Sequence, residues 1–546
     1  RDLKSQFLMK DGILEFDYVI VGAGSAGCAI ANRLSASGKY TVALLEAGGR
    51  DSNPWIHIPV GYFKTMDNPK TDWRYKADSD PGLNGRSIPW PRGRVLGGSS
   101  SINGLLYVRG QAQDYDQWAQ QGNQGWDWDQ VLPYFKKAET WLGDDAGEER
   151  GTEGPLKVSP TRLKRDVVDK WIDAAEAAGY KKNPDYNDGD QEGVGYFQLT
   201  MANGRRCSSA VAYLKPARGR HNLSIITHAQ AKRLILNGKQ AVGVVADIKG
   251  AHTEIAARRE VILSAGAIGS PQILMLSGIG DADGIKPHGI TMAHELKGVG
   301  RNLQDHLQAR PVFKTDLSTI NIEVSNFFKQ GMIALEYALK RSGPMAMAAS
   351  LGTGFLKTEP HMDVPDIQFH IQPFSATHPA DGPHKFSAFT ASVLQLRPES
   401  TGHLALKSAN WWDHPAIHPN YLATQTDQRT IVRGIQVARR IAEFSPLKEH
   451  ILEEFAPGRD VAYDDYDGTL EWARNTAVTI YHPTGTCKMG QDDMSVVDAR
   501  LRVRGITGLR VADCSIMPTI VSGNTNAPSI MIGERCADFV KAARTS

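Results

Sequence analysis

The sequence predicts an α/β protein of two domains, one built on a parallel sheet and one on an antiparallel sheet that carries helices. Three observations support this fold class. The chain of 546 residues is too long for a single hydrophobic core. Residues 16–45 follow the order strand, glycine turn, helix, strand. Residues 311–469 contain short β-like runs separated by turns with proline and histidine.

The first of these regions predicts a βαβ unit. Residues 16–21 (FDYVIV) form a buried strand in this interpretation, residues 26–35 form a helix, and residues 41–45 (TVALL) form a second strand. Such a unit implies a parallel sheet with helices on its faces, the arrangement of a Rossmann-type domain.

The turn after the first strand has glycines at Gly22, Gly24 and Gly27. In a dinucleotide-binding turn the first glycine permits the tight turn and the second lets the pyrophosphate approach the backbone. The third allows close packing of helix on strand. Glu46 ends the second strand, where its carboxylate can accept hydrogen bonds from ribose hydroxyls. The pattern predicts dinucleotide binding, but it does not separate FAD from NAD.

We expect the antiparallel region to be a substrate-binding domain. Its β-like runs are residues 367–371, 386–396 and 402–406, and a helix is predicted at 427–444. The chain then returns to short apolar strands near Val511 and ends in a predicted helix at 530–543. The dinucleotide-binding domain is therefore expected to be discontinuous. Its expected ranges are 1–165, 205–310 and 470–546, and those of the substrate domain are 166–204 and 311–469.

The composition excludes several classes of protein. Hydrophobic residues make up 41% and charged residues 22%, and a net charge of +2 without a Lys/Arg cluster gives no reason to expect nucleic acid. Five scattered cysteines favour a reducing compartment. Residues 261–280 have the length of a membrane span, but their glycines and proline predict strand, turn and helix. We see no secretory signal, and Met9 is a candidate start.

The sequence does not support a zinc-binding helix, a serine hydrolase or a nucleotide triphosphatase. His414 and His418 have the spacing of a zinc-binding helix, but Pro415 and Pro419 follow them and oppose that helix. Neither a serine-hydrolase nucleophile motif nor a P-loop occurs in the chain. We therefore predict no metal site.

Several long motifs carry a resemblance to a known family. They are residues 93–103 (GRVLGGSSSIN), 266–280 (GAIGSPQILMLSGIG), 298–306 (GVGRNLQDH), 481–490 (YHPTGTCKMG) and 508–534. Together they resemble the glucose–methanol–choline (GMC) oxidoreductases over almost the whole chain, and this resemblance implies FAD as the cofactor. Residues 56–61, 204–214 and 492–498 resemble the bacterial choline-dehydrogenase-like branch, in particular L-sorbose and polyethylene-glycol dehydrogenases.

The resemblance implies a set of FAD-binding positions on the glycine turn, on the small-residue loop (residues 93–103 and the two that follow) and at the ends of neighbouring elements. These positions are Gly22, Gly24, Ser25, Ala26, Gly27, Glu46, Ala47, Arg94, Leu96, Gly97, Gly98, Ser99, Asn103, Gly104, Leu105, Ala229, Ala265, Asp513, Asn524 and Thr525. Ile102 stands where some family members carry a histidine bonded to FAD. Isoleucine cannot form that bond, so we expect non-covalent FAD.

Oxidation of an alcohol requires a base for the hydroxyl proton and an acceptor for the α-hydride. By resemblance His482 is the catalytic base and Asn524 the second catalytic position. An amide can donate and accept hydrogen bonds but cannot take up a proton, so His482 is expected to be the sole base. The alternative is that Asn524 caps the following helix, although Asn526 suits that role better.

Three residues, Tyr481, Phe369 and His370, are predicted to line the substrate pocket, and the wider candidates are the stretches 368–371 and 350–355 and Phe374. For Tyr481, packing in the core is an equal interpretation. Nothing near them forms the aromatic cage with a carboxylate that choline would require.

The expected activity is oxidation of a primary, sugar-like or glycol-like alcohol to the carbonyl, with hydride transfer to flavin N5. Electrons would pass to a quinone, a cytochrome or another acceptor. An O₂-using oxidase of the same fold is the alternative, and a fatty-acid photodecarboxylase is a remote one. We expect no membrane span and a cytoplasmic location, or membrane association through the electron acceptor. The sequence does not predict the oligomeric state.

Overall fold

The computed structural model describes residues 9–10, 13–144, 147–377 and 382–543. Most of its strands belong to two large sheets. In chain order these strands are β1 (Ile13–Val21), β2 (Val42–Glu46), β3 (Gly193–Tyr196), β4 (Leu223–Thr227), β5 (Ala229–Asn237), β6 (Gln240–Ile248), β7 (Ala251–Leu263), β8 (Leu307–Ala309), β9 (Val312–Thr315), β10 (Gly352–Leu356), β11 (Ile367–Gln372), β12 (Ala388–Gln395), β13 (Ile451–Ala456), β14 (Val478–Thr479) and β15 (Leu509–Val511).

Longer helices cover both sheets. They are α1 (Ser25–Ser35), α2 (Ala112–Gln120), α3 (Trp128–Ala138), α4 (Asp166–Ala177), α5 (Gly266–Leu276), α6 (Phe327–Lys340), α7 (Gln425–Ala442), α8 (Tyr466–Thr476) and α9 (Asn526–Ala542). Four helices of one turn are Pro54–His57, Tyr62–Thr65, Ala282–Ile285 and Ile320–Glu323. No helix within the described ranges combines the length and the apolar character needed to cross a membrane.

Small ribbons complete the strands. They pair Tyr75–Lys76 with Pro89–Trp90, Met201–Ala202 with Arg205–Arg206, Ile279–Gly280 with His294–Glu295, His403–Ala405 with Ala416–His418, Met9–Lys10 with β1, and Leu156–Pro160 with both Glu139–Trp141 and Gln198–Leu199. His418 thus ends a short strand and does not lie on a helix, in agreement with the prolines that oppose a helix there.

The first large sheet has the order β4-β2-β1-β7-β6-β5, and β15 joins it beside β7. The pairs β4–β2, β2–β1, β1–β7 and β7–β15 are parallel. The carboxyl ends of β1, β2, β7 and β15 consequently meet at one edge. In open parallel sheets that edge is where ligands bind.

The second large sheet has the order β13-β9-β12-β11-β10-β3, and its strand pairs are antiparallel. Strand β8 joins β12 and also pairs with β14. Helix α7 packs on β12. Each sheet has its own hydrophobic core: the first packs around β1, β2 and β7 and the second around β11 and β12.

The predicted fold class is confirmed, since a parallel Rossmann-type sheet stands beside an antiparallel sheet with helices. Strands β8 and β14 belong to the second sheet although their residues fall in ranges expected for the dinucleotide-binding domain, and the domain boundaries stay a prediction. The last helix begins at Asn526 instead of residue 530, because the first turn of a helix tolerates Pro528. The predicted strand at 402–406 forms a small ribbon outside the large sheet.

Candidate active site

The glycine turn lies at the carboxyl edge of the first sheet, between β1 and α1. Gly22 has a φ of +102°, and a Cβ there would lie 2.4 Å from the Ser264 carbonyl oxygen. A Cβ on Gly27 would lie 1.9 Å from the Gly22 carbonyl oxygen. Side chains are therefore excluded at both positions, as the motif predicts.

Gly24 differs from its neighbours because a Cβ there would meet no described atom within 4 Å. The small-residue loop approaches the turn from one side, and a Cβ on Gly98 (φ +53°) would lie 2.7 Å from the Gly24 Cα. The open space in front of Gly24 faces the N-terminus of α1, where main-chain amides favour an anion. The residues present therefore fit a dinucleotide pyrophosphate.

Glu46 lies at the end of β2 and is buried. Its carboxylate accepts the amide hydrogens of Ala23 (3.1 Å) and Gly48 (2.8 Å), across Ala47. Burial raises the pKa of Glu46 to about 7. Each carboxylate oxygen keeps a lone pair that can accept a ribose hydroxyl.

The loop of residues 93–105 lies against the glycine turn through main-chain hydrogen bonds. The Leu96 amide donates to the Gly49 carbonyl (3.0 Å), and the Gly97 amide donates to the Ala23 carbonyl (2.8 Å). The Ser99 hydroxyl accepts the amide hydrogen of Gly93 (3.1 Å). These bonds hold the loop backbone beside the space in front of Gly24.

The end of the same loop is fixed by Asn103. Its Oδ1 accepts the Leu105 amide hydrogen (3.1 Å), across Gly104, and also Nη1 of Arg206 (2.7 Å). Burial lowers the pKa of Arg206 to about 9. Ile102 is buried in a small apolar cluster with Ile56 and Val95.

Ala229 is the first residue of β5, and the Arg94 side chain lies beside it. The His228 amide donates to the Gly48 carbonyl (2.8 Å), which ties this strand to the end of β2. Arg94 Nη2 donates to Gln230 Oε1 (3.5 Å). Both predicted positions are therefore close to Glu46.

Asp513 and Ala265 lie at the N-terminus of α5. The Asp513 carboxylate follows β15 and accepts the Gly266 amide hydrogen (2.9 Å) and the Ser270 hydroxyl (2.6 Å). Burial raises its pKa. Thr525 directly precedes α9, whose first residue hydrogen-bonds to Ser25, so this segment also lies at the edge that carries the glycine turn.

Helix α9 packs closely on α1, and a Cβ on Gly533 would lie 2.5 Å from the Ala26 carbonyl oxygen. Asn526 was expected to cap α9, and this expectation is wrong. It is the first residue of the helix, and its Oδ1 accepts the Ser25 hydroxyl (2.7 Å) instead of a helix amide.

His482 and Asn524 meet, although they come from different loops. Asn524 Nδ2 donates to His482 Nε2 across 3.1 Å. His482 is 6% exposed and Asn524 is half-buried. Neither asparagine side chain caps α9, so the geometry leaves Asn524 available to the histidine.

The tautomer of His482 follows from its other neighbours. His306 Nε2 lies 2.9 Å from the Leu396 carbonyl oxygen, which can only accept, so the proton of a neutral His306 is on Nε2. His306 Nδ1 must then accept from His482 Nδ1 across 3.0 Å. This chain leaves Nε2 of His482 unprotonated and directed toward Asn524.

Burial keeps these histidines neutral. It lowers the pKa of His306 to about 4, and it lowers the pKa of His482 well below its ordinary value, helped by His306, His370 and Arg92. A neutral imidazole with an unprotonated Nε2 is the form that a general base requires, and here that nitrogen accepts the Asn524 amide hydrogen, which a substrate hydroxyl would replace.

Asp305 fixes the backbone of the same segment. Its Oδ1 accepts the His482 amide hydrogen (2.8 Å), and its Oδ2 accepts the hydroxyls of Thr479 (2.5 Å) and Tyr421. Burial raises its pKa to about 6. Asp305 holds the position of His482 without contacting the imidazole ring.

Strand β11 contributes alternate residues to this region. The Gln368 amide donates to Asn524 Oδ1 (3.4 Å), and His370 is close enough to His482 to lower its pKa. Phe369, which we predicted to line the pocket, packs instead on Trp171 of α4, with ring centroids 5.5 Å apart. Neighbouring residues of a strand point to opposite faces, so Gln368 replaces Phe369 in the candidate pocket.

Tyr481 has a left-handed backbone (φ +71°), an uncommon conformation for a non-glycine residue. Its carbonyl accepts Nη2 of Arg92 (2.8 Å). Burial raises the pKa of its hydroxyl, and Arg310 opposes that shift. Tyr481 therefore lies beside two arginines at the candidate pocket.

The sequence interpretation missed His306 and Asp305 as functional residues. Both are the last residues of the motif 298–306. This motif contributed to the family resemblance, but the sequence interpretation assigned no role to either residue. Gln368 belongs to the stretch 368–371 that the sequence already suggests for the pocket.

Comparisons with known proteins agree with this geometry. Two family models described as GMC oxidoreductase match residues 16–308 and 398–533, most of the chain. The chain is 42% identical to an alcohol dehydrogenase [acceptor] from Pseudomonas putida, over 96% of this chain and 95% of that protein. It is 41% identical to an oxygen-dependent choline dehydrogenase from Vibrio vulnificus, over 96% and 94% of the two chains.

Among solved structures, a mutant of the formate oxidase from Aspergillus oryzae, described for its effect on FAD modification, is similar with a TM-score of 0.91 and 28% identity. The match covers 98% of this chain and all of that one. Sequence and fold thus lead to the same family.

Proposed function

The chain belongs to the GMC oxidoreductase family of FAD-dependent enzymes, and from this premise we propose that it oxidises a neutral, oxygen-rich primary alcohol with His482 as the base. The observation that carries the proposal is the pair formed by His482 Nε2 and Asn524 Nδ2 at 3.1 Å. The tautomer of His482, set by His306, makes Nε2 a proton acceptor.

His482 takes the hydroxyl proton on Nε2 while its Nδ1–H continues to donate to His306 Nδ1. The acceptor at His306 Nδ1 then stabilises the positive charge that forms on His482. Asn524 orients the substrate oxygen by a hydrogen bond. FAD, when bound, supplies the acceptor for the α-hydride.

The residues that would hold FAD are those of the open cradle. Gly22, Gly24 and the N-terminus of α1 would bind the pyrophosphate, and Glu46 would accept a ribose hydroxyl. The loop ending at Asn103 would lie against the flavin. We propose non-covalent binding because Ile102 offers no nucleophile.

The charges near the pocket support a neutral substrate over choline. Arg92 and Arg310 both act on Tyr481. The nearby carboxylates already accept hydrogen bonds from the protein. Asp305 accepts them from Thr479, Tyr421 and the His482 amide. Asp72 accepts them from main-chain amides. Among the residues that the structure describes here, a quaternary ammonium would meet two cations and no free carboxylate.

For the electron acceptor we propose a quinone or cytochrome. The name of the Pseudomonas relative, with an unspecified acceptor, supports a dehydrogenase. The similarity to a formate oxidase supports O₂ as the alternative.

Anaerobic reduction of the flavin by a panel of alcohols tests the proposal. We expect glycols and sugar alcohols to reduce it at least about tenfold faster than choline. Turnover with an artificial dye should exceed turnover with O₂. Faster reduction by choline would refute the substrate class, and a flavin that no alcohol reduces would refute the activity itself.

A further inference from the structure

Helix α6 carries most of its apolar side chains on the outside of the molecule. Five of them are between 51% and 91% exposed: Phe327, Phe328, Met332, Leu335 and Leu339. The last four follow at intervals of three and four residues, which places them in one row on the helix. We name these five residues the apolar ridge.

The other face of α6 attaches the helix to the protein. Tyr337 is its buried side chain, and the Tyr337 hydroxyl donates to the Gly204 carbonyl (2.9 Å). The ridge therefore stands outside the core without a covering element among the described residues. Contiguous apolar surface of this kind marks an interaction site.

A basic cleft lies next to the ridge. Gly204 is in the turn of the ribbon that pairs Met201–Ala202 with Arg205–Arg206, and residues of this ribbon line the cleft. The exposed or half-buried cations that line it are Arg50, Lys157, Arg205, Lys215 and Arg218. Among the described lining residues the single acid is Asp51, which is paired with Arg218 at 3.0 Å.

The ridge is also close to the segment that reaches the candidate pocket. The turn Pro344–Ala346 after α6 contacts both α6 and the turn Pro59–Gly61. The next residue, Tyr62, is close enough to Tyr481 and Arg310 for each to affect its pKa. Phe63 is exposed and meets the ring of Phe374 edge-on at 5.8 Å.

We infer that the apolar ridge and the basic cleft together dock this enzyme on the surface of an anionic lipid bilayer. The ridge enters the boundary between headgroups and acyl chains, and the cations of the cleft meet lipid phosphates. Docking in this orientation places the pocket segment beside the lipid. The inference concerns a surface separate from the residues proposed for the chemistry.

Charge favours a bilayer over a second copy of the chain. Lys329, Lys340 and Arg341 flank the ridge, and the acid among them, Glu336, accepts the Ser342 hydroxyl (2.9 Å). A symmetric contact between two ridges would bring these cations toward their own copies. Anionic headgroups instead neutralise them.

Flotation of the FAD-loaded full chain with lipid vesicles tests the docking. We expect it to float with vesicles of phosphatidylcholine and phosphatidylglycerol, to float less with phosphatidylcholine alone, and to be released by salt. The double variant Phe328→Glu/Leu335→Glu should lower the bound fraction at least about tenfold, because two large apolar side chains are lost from the interface. Its turnover of a water-soluble alcohol with a dye should be unchanged.

Matched controls separate the ridge and the cleft from general surface effects. Trp412 is 58% exposed outside the ridge, and Trp412→Glu should float like the wild type. Arg205→Glu/Lys215→Glu should weaken flotation, while reversal of two other exposed lysines, Lys39→Glu/Lys286→Glu, should leave it intact.

Three results would overturn the inference. The first is a wild type that stays in the aqueous fraction with anionic vesicles. The second is a ridge variant that floats like the wild type. The third is a ridge variant whose mass in solution falls to that of a monomer while flotation is unchanged, which would assign the ridge to a second copy.

Discussion

The FAD cradle and the His482 site are built in opposite ways. The cradle consists of main-chain amides, glycines and one carboxylate, Glu46, and it admits almost no added atoms at Gly22 or Gly27. The His482 site consists of side chains from distant segments that hold one imidazole in one tautomer. Adding a methyl group should therefore damage the cradle, whereas removing a side chain should damage the His482 site.

The largest effect is expected for His482→Ala. Loss of the general base should slow flavin reduction by roughly 100-fold or more. FAD content should stay near that of the wild type, because the imidazole is not part of the cradle. Stopped-flow reduction and flavin absorbance measure the two quantities. His403→Ala, which removes a histidine of a small ribbon, serves as the control, and an equally large loss there would contradict the assignment.

Two glycine variants test the cradle. Gly27→Ala should destabilise the FAD-free protein by about 1–3 kcal/mol, since its Cβ would lie 1.9 Å from a carbonyl oxygen. Gly24→Ala should leave that stability within about 0.5 kcal/mol, because the space is open, yet weaken FAD binding. Denaturation of the FAD-free protein measures the change in stability, and FAD titration measures the change in cofactor affinity. Equal stability losses would show that the space at Gly24 is not open.

His306 is expected to act through His482. His306→Ala should slow flavin reduction about tenfold, because Nδ1 of His482 loses its acceptor and the tautomer is no longer fixed. His306→Gln keeps an acceptor and should recover part of the rate. A purely structural role would instead give both variants the same rate and a lowered thermal stability.

Acid pH should lower the stability of the folded protein through the buried histidines around His482. The pKa of His306 is about 4 and that of His370 about 3, whereas both are near 6.5 in the unfolded chain. As pH falls below 6.5, the unfolded state takes up protons that the folded state does not. Stability should therefore fall by up to about 1.4 kcal/mol per pH unit for each histidine, down to about pH 4 and pH 3. Denaturant titrations across this range measure the slope, which should decrease in His370→Gln.

Flavin reduction should keep its rate below pH 6.5, since the pKa of His482 is well below its ordinary value. The rate should be lost only when pH falls through that lowered pKa and Nε2 becomes protonated. A midpoint above pH 6.5 in the flavin-reduction profile would contradict a neutral, buried base.

The smallest effect is expected for Asn524→Ala. It removes one hydrogen bond but leaves the base, so flavin reduction should slow roughly 2- to 10-fold. Asn524→Asp serves as the comparison, because a carboxylate there would raise the pKa of His482 and move the pH profile upward. A loss greater than that of His482→Ala would reverse the two roles.

The sequence predicts the cradle better than the His482 site for a physical reason. The glycine spacing, the strand before it and Glu46 lie within one local stretch, so pattern and structure coincide. The contacts of His306 and Gln368 depend on pairing in the second sheet, which no local pattern specifies. Phe369 was misplaced by one residue because a strand reverses the direction of its side chains at every step.

The pairing of β8 with β14 also sets the order in which the protein matures. Leu307 faces Thr479 across this pair, so the chain must close a very long loop before His306 and His482 can meet. Synthesis proceeds from the N-terminus, and the glycine turn leaves the ribosome long before residue 482 is made. A nascent chain can therefore form the glycine turn well before it can bring His306 and His482 together.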